Sequence, residues 1–381
     1  MLNWRFIAVV AMVATDMVAA TQAQSSRKPQ SPVSLKDAYR NAFLIGVAIN
    51  SPQIKGQDMG GDAIVERQFN SITPENVLKW EVVHPEPDVY NFDLSDQYVS
   101  FGEKRHMFVV GHCLVWHSQT PAWVFRDDKG DSLDRDALLK RMHDHIQTVV
   151  GRYKGRIQAW DVVNEALNEN GTMRQSPWQK IIGDDYVEKA FQYAHEADPQ
   201  AKLVYNDYNL ENDQKRKGAL VLITKLKAEG VPVDAVGLQG HDSMDWPSLE
   251  DEDTTIGAFA SLGVKVIISE LDIDLLPPAT EHATADVSVH VEQDPKLNPY
   301  PKGLPESVQK ELGKRYSDLF KVFLKHRGAV IRVTFWGLSD GDSWRNDWPV
   351  LGRTSYPLLF DRSDQPKLAF HAVLEAAGGK N

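Results

Sequence analysis

Alternation of short β-branched runs with helical segments leaves a chain few ways to fold, and it dominates this sequence of 381 residues. Runs rich in Val, Ile, Phe, Tyr and Trp occupy 43–49, 69–73, 107–116, 157–165, 202–208, 234–241, 264–273 and 330–337, each bounded by turn residues. Between them, 132–153 and 212–230 space apolar residues three and four apart and open on Ser132 and Asn212, as capped amphipathic helices do. Such alternation implies parallel strands joined by crossovers. Eight units of this kind close into a (β/α)8 TIM barrel; an open doubly wound sheet is the competing topology. The first strand runs into "GVAINSPQIKG", which lacks the G-x-G-x-x-G phosphate loop of dinucleotide-binding sheets. A single α/β barrel domain is therefore expected over 41–378.

One connection is too long for the pattern. Residues 277–305 carry six prolines, mixed charge and little periodicity, so this enlarged loop after the seventh strand is expected to overhang the active face of the barrel. At the other end, residues 1–23 combine an early Arg5 with an apolar stretch over 6–14 and small residues near 19–23. That is the pattern of a cleaved secretory signal peptide, with an uncleaved anchor as the alternative. Residues 24–40 read as a linker, and the expected destination is outside the cytoplasm, secreted or periplasmic. No later stretch approaches 18 apolar residues, so no membrane association is expected of the mature form. A net charge of −11 repels phosphates and argues against a nucleic-acid partner. Cys113 is the only cysteine, which excludes an internal disulfide and a zinc site built on cysteines.

In a barrel, the carboxyl ends of the strands meet in one bowl. Those ends supply Glu75, Asn76 and Lys79; His112, Trp116, His117 and Gln119; Asn164 and Glu165; Asn206 and Asp207; Gln239 and His241; Glu270 and Asp272; Trp336 and Trp344. Burying an unpaired carboxylate costs several kcal/mol, roughly, so a fold keeps one at the end of an apolar strand only when it is paired, hydrogen-bonded or used. Residues two apart on a strand share a face, which aligns Glu270 with Asp272 and Gln239 with His241. Carboxylates, amides, imidazoles and indoles converging in a cleft suit sugar hydroxyls and the apolar faces of pyranose rings. Two carboxyl groups flanking a glycosidic bond can divide the work: one protonates the leaving oxygen while the other, ionised, attacks the anomeric carbon.

The motifs "GHCLVWHSQTPAW", "WDVVNEA", "YNDYN", "VGLQGH", "ISELDI" and "TFWGLSDGDSW", in this order on the eight strands, resemble glycoside hydrolase family 10, the retaining endo-β-1,4-xylanases. The likeness runs from about Ala42 to Leu374. It implies Glu165 as general acid/base and Glu270 as nucleophile. It also implies that Asn164 holds the 2-hydroxyl at the cleavage point, that His241 hydrogen-bonds the nucleophile and is oriented by Asp272, and that Gln239 contacts the glycosyl intermediate. By the same resemblance Glu75, Asn76, Lys79, His112, Trp116 and Gln119 line the non-reducing side, Trp336 and Trp344 wall the pocket, and Tyr208 and Asn209 reach the leaving-group side. Xylan and xylo-oligosaccharides are the implied partners, with no cofactor, no metal and no protein partner. Cys113 replaces the Thr or similar small residue usual in the family, at a position expected to be interior, and the length of 277–305 leaves the leaving-group preferences open.

Competing readings are a catalytically silent xylan-binding protein on the same barrel and a metal-dependent barrel hydrolase. His143 and His145 could suggest a metal, but two residues apart on a helix they point to different faces and are expected in solvent. The run "LEDEDTT" at 249–255 is expected to be a solvated loop or helix start. Trp80, Trp123, Trp160 and Trp178 fit packing as well as binding.

Overall fold

Eight parallel strands form the core of the molecule: β1 (Leu44–Ile49), β2 (Ser71–Pro74), β3 (Phe108–Trp116), β4 (Ala159–Asn164), β5 (Lys202–Asp207), β6 (Ala235–Leu238), β7 (Lys265–Asp274) and β8 (Val330–Phe335). The structure is a computed structural model that describes residues 1, 33–279, 287 and 289–378. Each strand pairs in parallel with the next in the chain, and β8 returns to β1 through Leu44 opposite Arg332 and Gly46 opposite Thr334, so the sheet closes. The expected (β/α)8 barrel is the fold. Strands covered on both faces need not alternate apolar and polar residues, which is why β4 and β6 are buried at every position.

The sixth run does not form one strand over 234–241. It stops at Leu238, turns through Gly240 at φ 74°, and resumes as a three-residue strand, His241–Ser243, that pairs with β7 alone. Two-residue periodicity therefore does not explain how Gln239 and His241 come together; the turn does.

The helices follow from their caps. Asn212 accepts from the amides of Gln214 and Lys215 to open the helix Asp213–Ala228, as expected. The preceding helical segment begins later than its sequence suggested: Asp134, not Ser132, caps Arg135–Arg152. Ser248 caps Leu249–Ser261, the helix formed by the acidic run, and there Glu252 is buried at 3% exposure, contrary to the solvated expectation. Residues 34–40, expected as linker, carry a Ser34-capped helix whose Leu35 and neighbouring Tyr39 are buried; Val33–Asn381 is one compact unit. The proposed signal segment, 1–23, lies outside the described residues apart from residue 1.

His145 corrects another expectation. Its side chain is fully buried, 3.5 Å face to face with Trp80, and its Nδ1 lies 3.0 Å from His84 Nδ1. Periodicity placed it on a face of its own helix but could not show that another element covers that face. His143 is half-exposed beside Asp144. Trp80, Trp160 and Trp178 are all core residues.

The described parts of 277–305 lean on the segment after β8. Arg353 donates to the carbonyls of Pro277 (2.8 Å) and Leu297 (3.0 Å), and Val291 pairs with Val350. Among the described residues no helix is long and apolar enough to cross a membrane.

Candidate active site

Two glutamates stand in one cleft at the strand ends, almost equally buried at 4% and 5% exposure, with opposite environments. Glu165 lies one residue past β4, in left-handed backbone at φ 58°. Few non-glycine residues adopt that conformation, and it turns the side chain out of strand alternation at the mouth of the barrel. Its carboxylate accepts from Trp116 Nε1 (2.8 Å), Gln239 Nε2 (3.1 Å) and Asn164 Nδ2 (3.3 Å), all neutral donors. Burial and the negative charge of Asp207 push its pKa up to about 7, against the pull of the Gln239 and Trp116 bonds.

Glu270 sits inside β7 and meets a cation. His241 Nε2 is 3.3 Å from one carboxylate oxygen, and Asn206 Nδ2 donates to the other at 2.7 Å. Burial raises this carboxyl, but the hydrogen bond from His241, the charges of His112 and His241, and the Asn206 bond outweigh it, leaving the pKa below its ordinary value. His241 is itself held by Asp272 at 3.0 Å, because the short strand sets His241 opposite Asp272 in register. Burial would lower the imidazole pKa, yet Asp272 and Glu270 carry it to about 9. Asp272 in turn accepts from Arg345 Nε (2.8 Å) and Trp344 Nε1 (2.7 Å); burial would raise its pKa, but the Arg345 guanidinium and the His241 imidazolium overcome it and take the value down to about 2.

A net of amides joins the two carboxylates. Asn206 Nδ2 bonds both Glu270 and Asn164 Oδ1 (2.9 Å), and Gln239 Nε2 bonds both Glu165 and Asn164 Oδ1 (3.2 Å). Asn206 and Asn164 are register partners on β5 and β4. Gly237 makes room for this net, since a Cβ there would fall 2.2 Å from Asn206 Oδ1.

The sequence-derived residues gather here. Glu75, Asn76, Lys79, His112, Trp116, Gln119, Asn164, Gln239, His241, Trp336 and Trp344 line a cavity of about 230 Å³ with the two glutamates, and Val287 of the long loop closes one side. Lys79 Nζ donates to Asn76 Oδ1 (2.9 Å) and Gln119 Oε1 (2.8 Å) and lies 5.0 Å from the Trp116 ring centre. His112 is fixed by Asp161 at 2.9 Å and meets the Trp336 ring edge-on at 5.3 Å. Cys113 is buried, as expected.

Beyond His241 opens a second cavity of about 640 Å³, walled by Asn209, Glu169, Trp246, Trp348 and Arg353, with Pro278 and Ala279 at its edge. Asn209, expected on the leaving-group side, lines this second cavity. Tyr208 lines neither cavity: it is buried, its hydroxyl accepts from Arg174 at 2.9 Å, and Lys215 Nζ lies 3.5 Å over its ring.

Arg345, Trp348 and Lys215 were missed by sequence reasoning, and Asn206 was seen at a strand end without a role. Arg345 was discoverable as the neighbour of Trp344, but its partner Asp272 lies 73 residues away. Among the described residues no cluster of His, Cys, Asp or Glu could hold a metal ion.

Residues 34–376 match the model of glycosyl hydrolase family 10. The chain is 45% identical over 346 residues to endo-1,4-beta-xylanase A of Xylanibacter ruminicola, covering 91% of this chain and 94% of that one. It is 40% identical to a beta-1,4-xylanase of Dictyoglomus thermophilum across 98% of this chain and all of the relative. A solved endoxylanase of the same family, retrieved from a sugarcane soil metagenome, superposes with a TM-score of 0.87 at 46% identity, over 90% of this chain and 99% of that one.

Proposed function

This chain belongs to glycosyl hydrolase family 10, and from that premise we propose that it is an endo-1,4-β-xylanase cutting internal bonds of xylan with retention of configuration. The observation that carries the reading is the split between two equally buried carboxyl groups, one holding its proton near neutrality and the other ionised. Glu270 attacks the anomeric carbon while Glu165 gives its proton to the departing glycosidic oxygen. The C–O bond breaks as the bond to Glu270 forms. Glu165, now ionised, takes a proton from water, the oxygen of that water displaces Glu270, and the sugar leaves with its original configuration.

The remaining side chains bind and orient. Asn164 holds the 2-hydroxyl of the sugar at the cleavage point, where its amide already donates to Glu165 and accepts from Asn206, the donor to Glu270. His241, oriented by Asp272, keeps Glu270 ionised, and Gln239 steadies the glycosyl intermediate. Glu75, Asn76, Lys79, His112, Trp116 and Gln119 take the non-reducing side, Trp336 and Trp344 wall the pocket, and Asn209 faces the leaving group. The catalytic domain spans about 34–378, its first helix at Leu35–Ala38 packed into the same unit, preceded by a signal peptide at 1–23 that directs export and a short connecting segment. No cofactor and no protein partner enters this scheme.

Incubating the purified protein with xylan, with and without chelator, and following products by NMR tests the reading. Internal cuts that release β-anomers at an unchanged rate in chelator are expected. α-Anomers would exclude the double displacement, loss of activity in chelator would point to a metal hydrolase, and xylan binding without products would leave a silent binder.

A further inference from the structure

Lys215 is an unusual residue to find with no exposed side-chain surface. It occupies the first turn of the helix Asp213–Ala228, where the positive end of the helix dipole disfavours a cation. Two carboxylates offset that cost. Lys215 Nζ lies 3.0 Å from Asp207 Oδ1, itself fully buried, and 3.1 Å from Glu169 Oε1, which is half-exposed. Asp207 ends β5 and is fixed by Tyr205 Oη (2.6 Å) and the Tyr208 amide (2.9 Å). Glu169 accepts from Asn209 (3.3 Å), and both line the 640 Å³ cavity. An unbroken chain of charged contacts therefore runs from the larger cavity, through one buried ammonium, to the carboxylate whose charge acts on Glu165.

We propose that Lys215, through its shared ion pairs with Asp207 and Glu169, is a positioning residue that links the wall of the leaving-group cavity to the proton donor Glu165. The proposal rests on the reading of Glu165 as general acid. Lys215 touches no reacting atom; it sets how much of the negative charge of Asp207 reaches Glu165, and Glu169 sets how much of Lys215 is left for Asp207. A leaving group that draws Glu169 away frees Lys215 for Asp207, which eases ionisation of Glu165 as the proton departs.

Other charged groups face these residues. Around Glu165 stand His117 at 3.8 Å, Arg174, whose Nε donates to the Glu165 carbonyl at 3.1 Å, Tyr208 and Glu270. Around Lys215 stand Tyr208 and Glu211 besides its two partners.

The test is the pH dependence of kcat/KM for a xylo-oligosaccharide, alongside an aryl β-xyloside with a good leaving group, in wild type, Lys215→Met, Lys215→Arg and Glu169→Gln. Loss of the ammonium should move the basic limb for the oligosaccharide up by about half a pH unit, because Asp207 then opposes ionisation of Glu165 undiluted. Glu169→Gln should move it down by a few tenths of a unit, roughly, because Lys215 is less neutralised. Lys215→Arg should restore the wild-type limb. The aryl xyloside, which does not need the proton, should show no such shifts, whereas a general loss of structure would alter both substrates. An unmoved limb in Glu169→Gln, a variant changed at a half-exposed site, overturns the proposal even if Lys215→Met does not fold; so does movement of both variants in one direction. If the wild-type limb is the same for both substrates, the reading of Glu165 itself fails.

Discussion

Glu165 and Glu270 differ by 1% in exposure, yet burial decides the protonation of only one of them. Around Glu165 the nearest donors are an indole and two amides, and the added charge is another carboxylate, so desolvation prevails. Around Glu270 a histidine arrives already charged by Asp272, which is itself held by Arg345, so the ionised form prevails. One side of the cleft is a low-dielectric pocket; the other is the end of an ion-pair relay. Depth in the barrel is common to both, and the sign of the neighbours separates them.

Removing one member of the pair breaks the comparison most severely. Glu270→Ala should reduce kcat on xylan on the order of 10⁴-fold or more while leaving the fold intact, as loss of a catalytic nucleophile does. Steady-state rates with circular dichroism check this, and an active variant would end the assignment. Glu165→Ala should lower turnover of xylan by roughly 10²- to 10⁴-fold but spare an aryl glycoside with a good leaving group. Equal losses on the two substrates would count against its role as acid.

Asp272→Asn sharpens the comparison by cutting the relay. One partner of a buried ion pair is removed, at about 3–5 kcal/mol of stability. Without it His241 loses its main charge support and Glu270 its cation, so the acid limb of kcat/KM should rise by about one pH unit. The sign of the stability effect follows from His241, which binds its proton more tightly folded, near pH 9, than at its ordinary 6.5. Its contribution is complete below pH 6.5 and is lost as pH rises through about 9. Thermal unfolding should therefore show the Asp272→Asn deficit narrowing in alkali. The smallest effect belongs to Trp116→Phe: loss of the 2.8 Å bond that favours ionised Glu165 should raise the basic limb by a few tenths of a pH unit, roughly. A downward shift would mean that the indole does not act on the carboxylate as described.

Much of this was legible in the chain. The strand count gave the barrel, and strand ends gave both glutamates because polar residues finishing apolar runs must converge at one mouth of such a fold. Pairing in space was harder to read. Glu270 and Asp272 share a face by simple periodicity, but His241 joins them only through a turn at Gly240 and a three-residue strand. Arg345 comes from a three-residue 3-10 helix, Trp344–Asn346, after the last strand, too short for a periodic pattern to reveal. His145 and Glu252 carry polar side chains that sequence reasoning sends to solvent, and Lys215 drew no expectation at all; all three are buried, because packing against a second element is not written in the local spacing of a helix. Tyr208 shows the same limit, since its motif places it beside the site while its hydroxyl is spent on Arg174.

The divided pair can be observed directly by titrating the carboxyl carbons of Glu165 and Glu270 in ¹³C-glutamate-labelled protein, each assigned by its Gln variant. Glu165 should titrate near 7 and Glu270 below the ordinary range for a glutamate. Two carboxyl groups titrating together, or in the reverse order, would contradict the division of labour on which the proposed function stands.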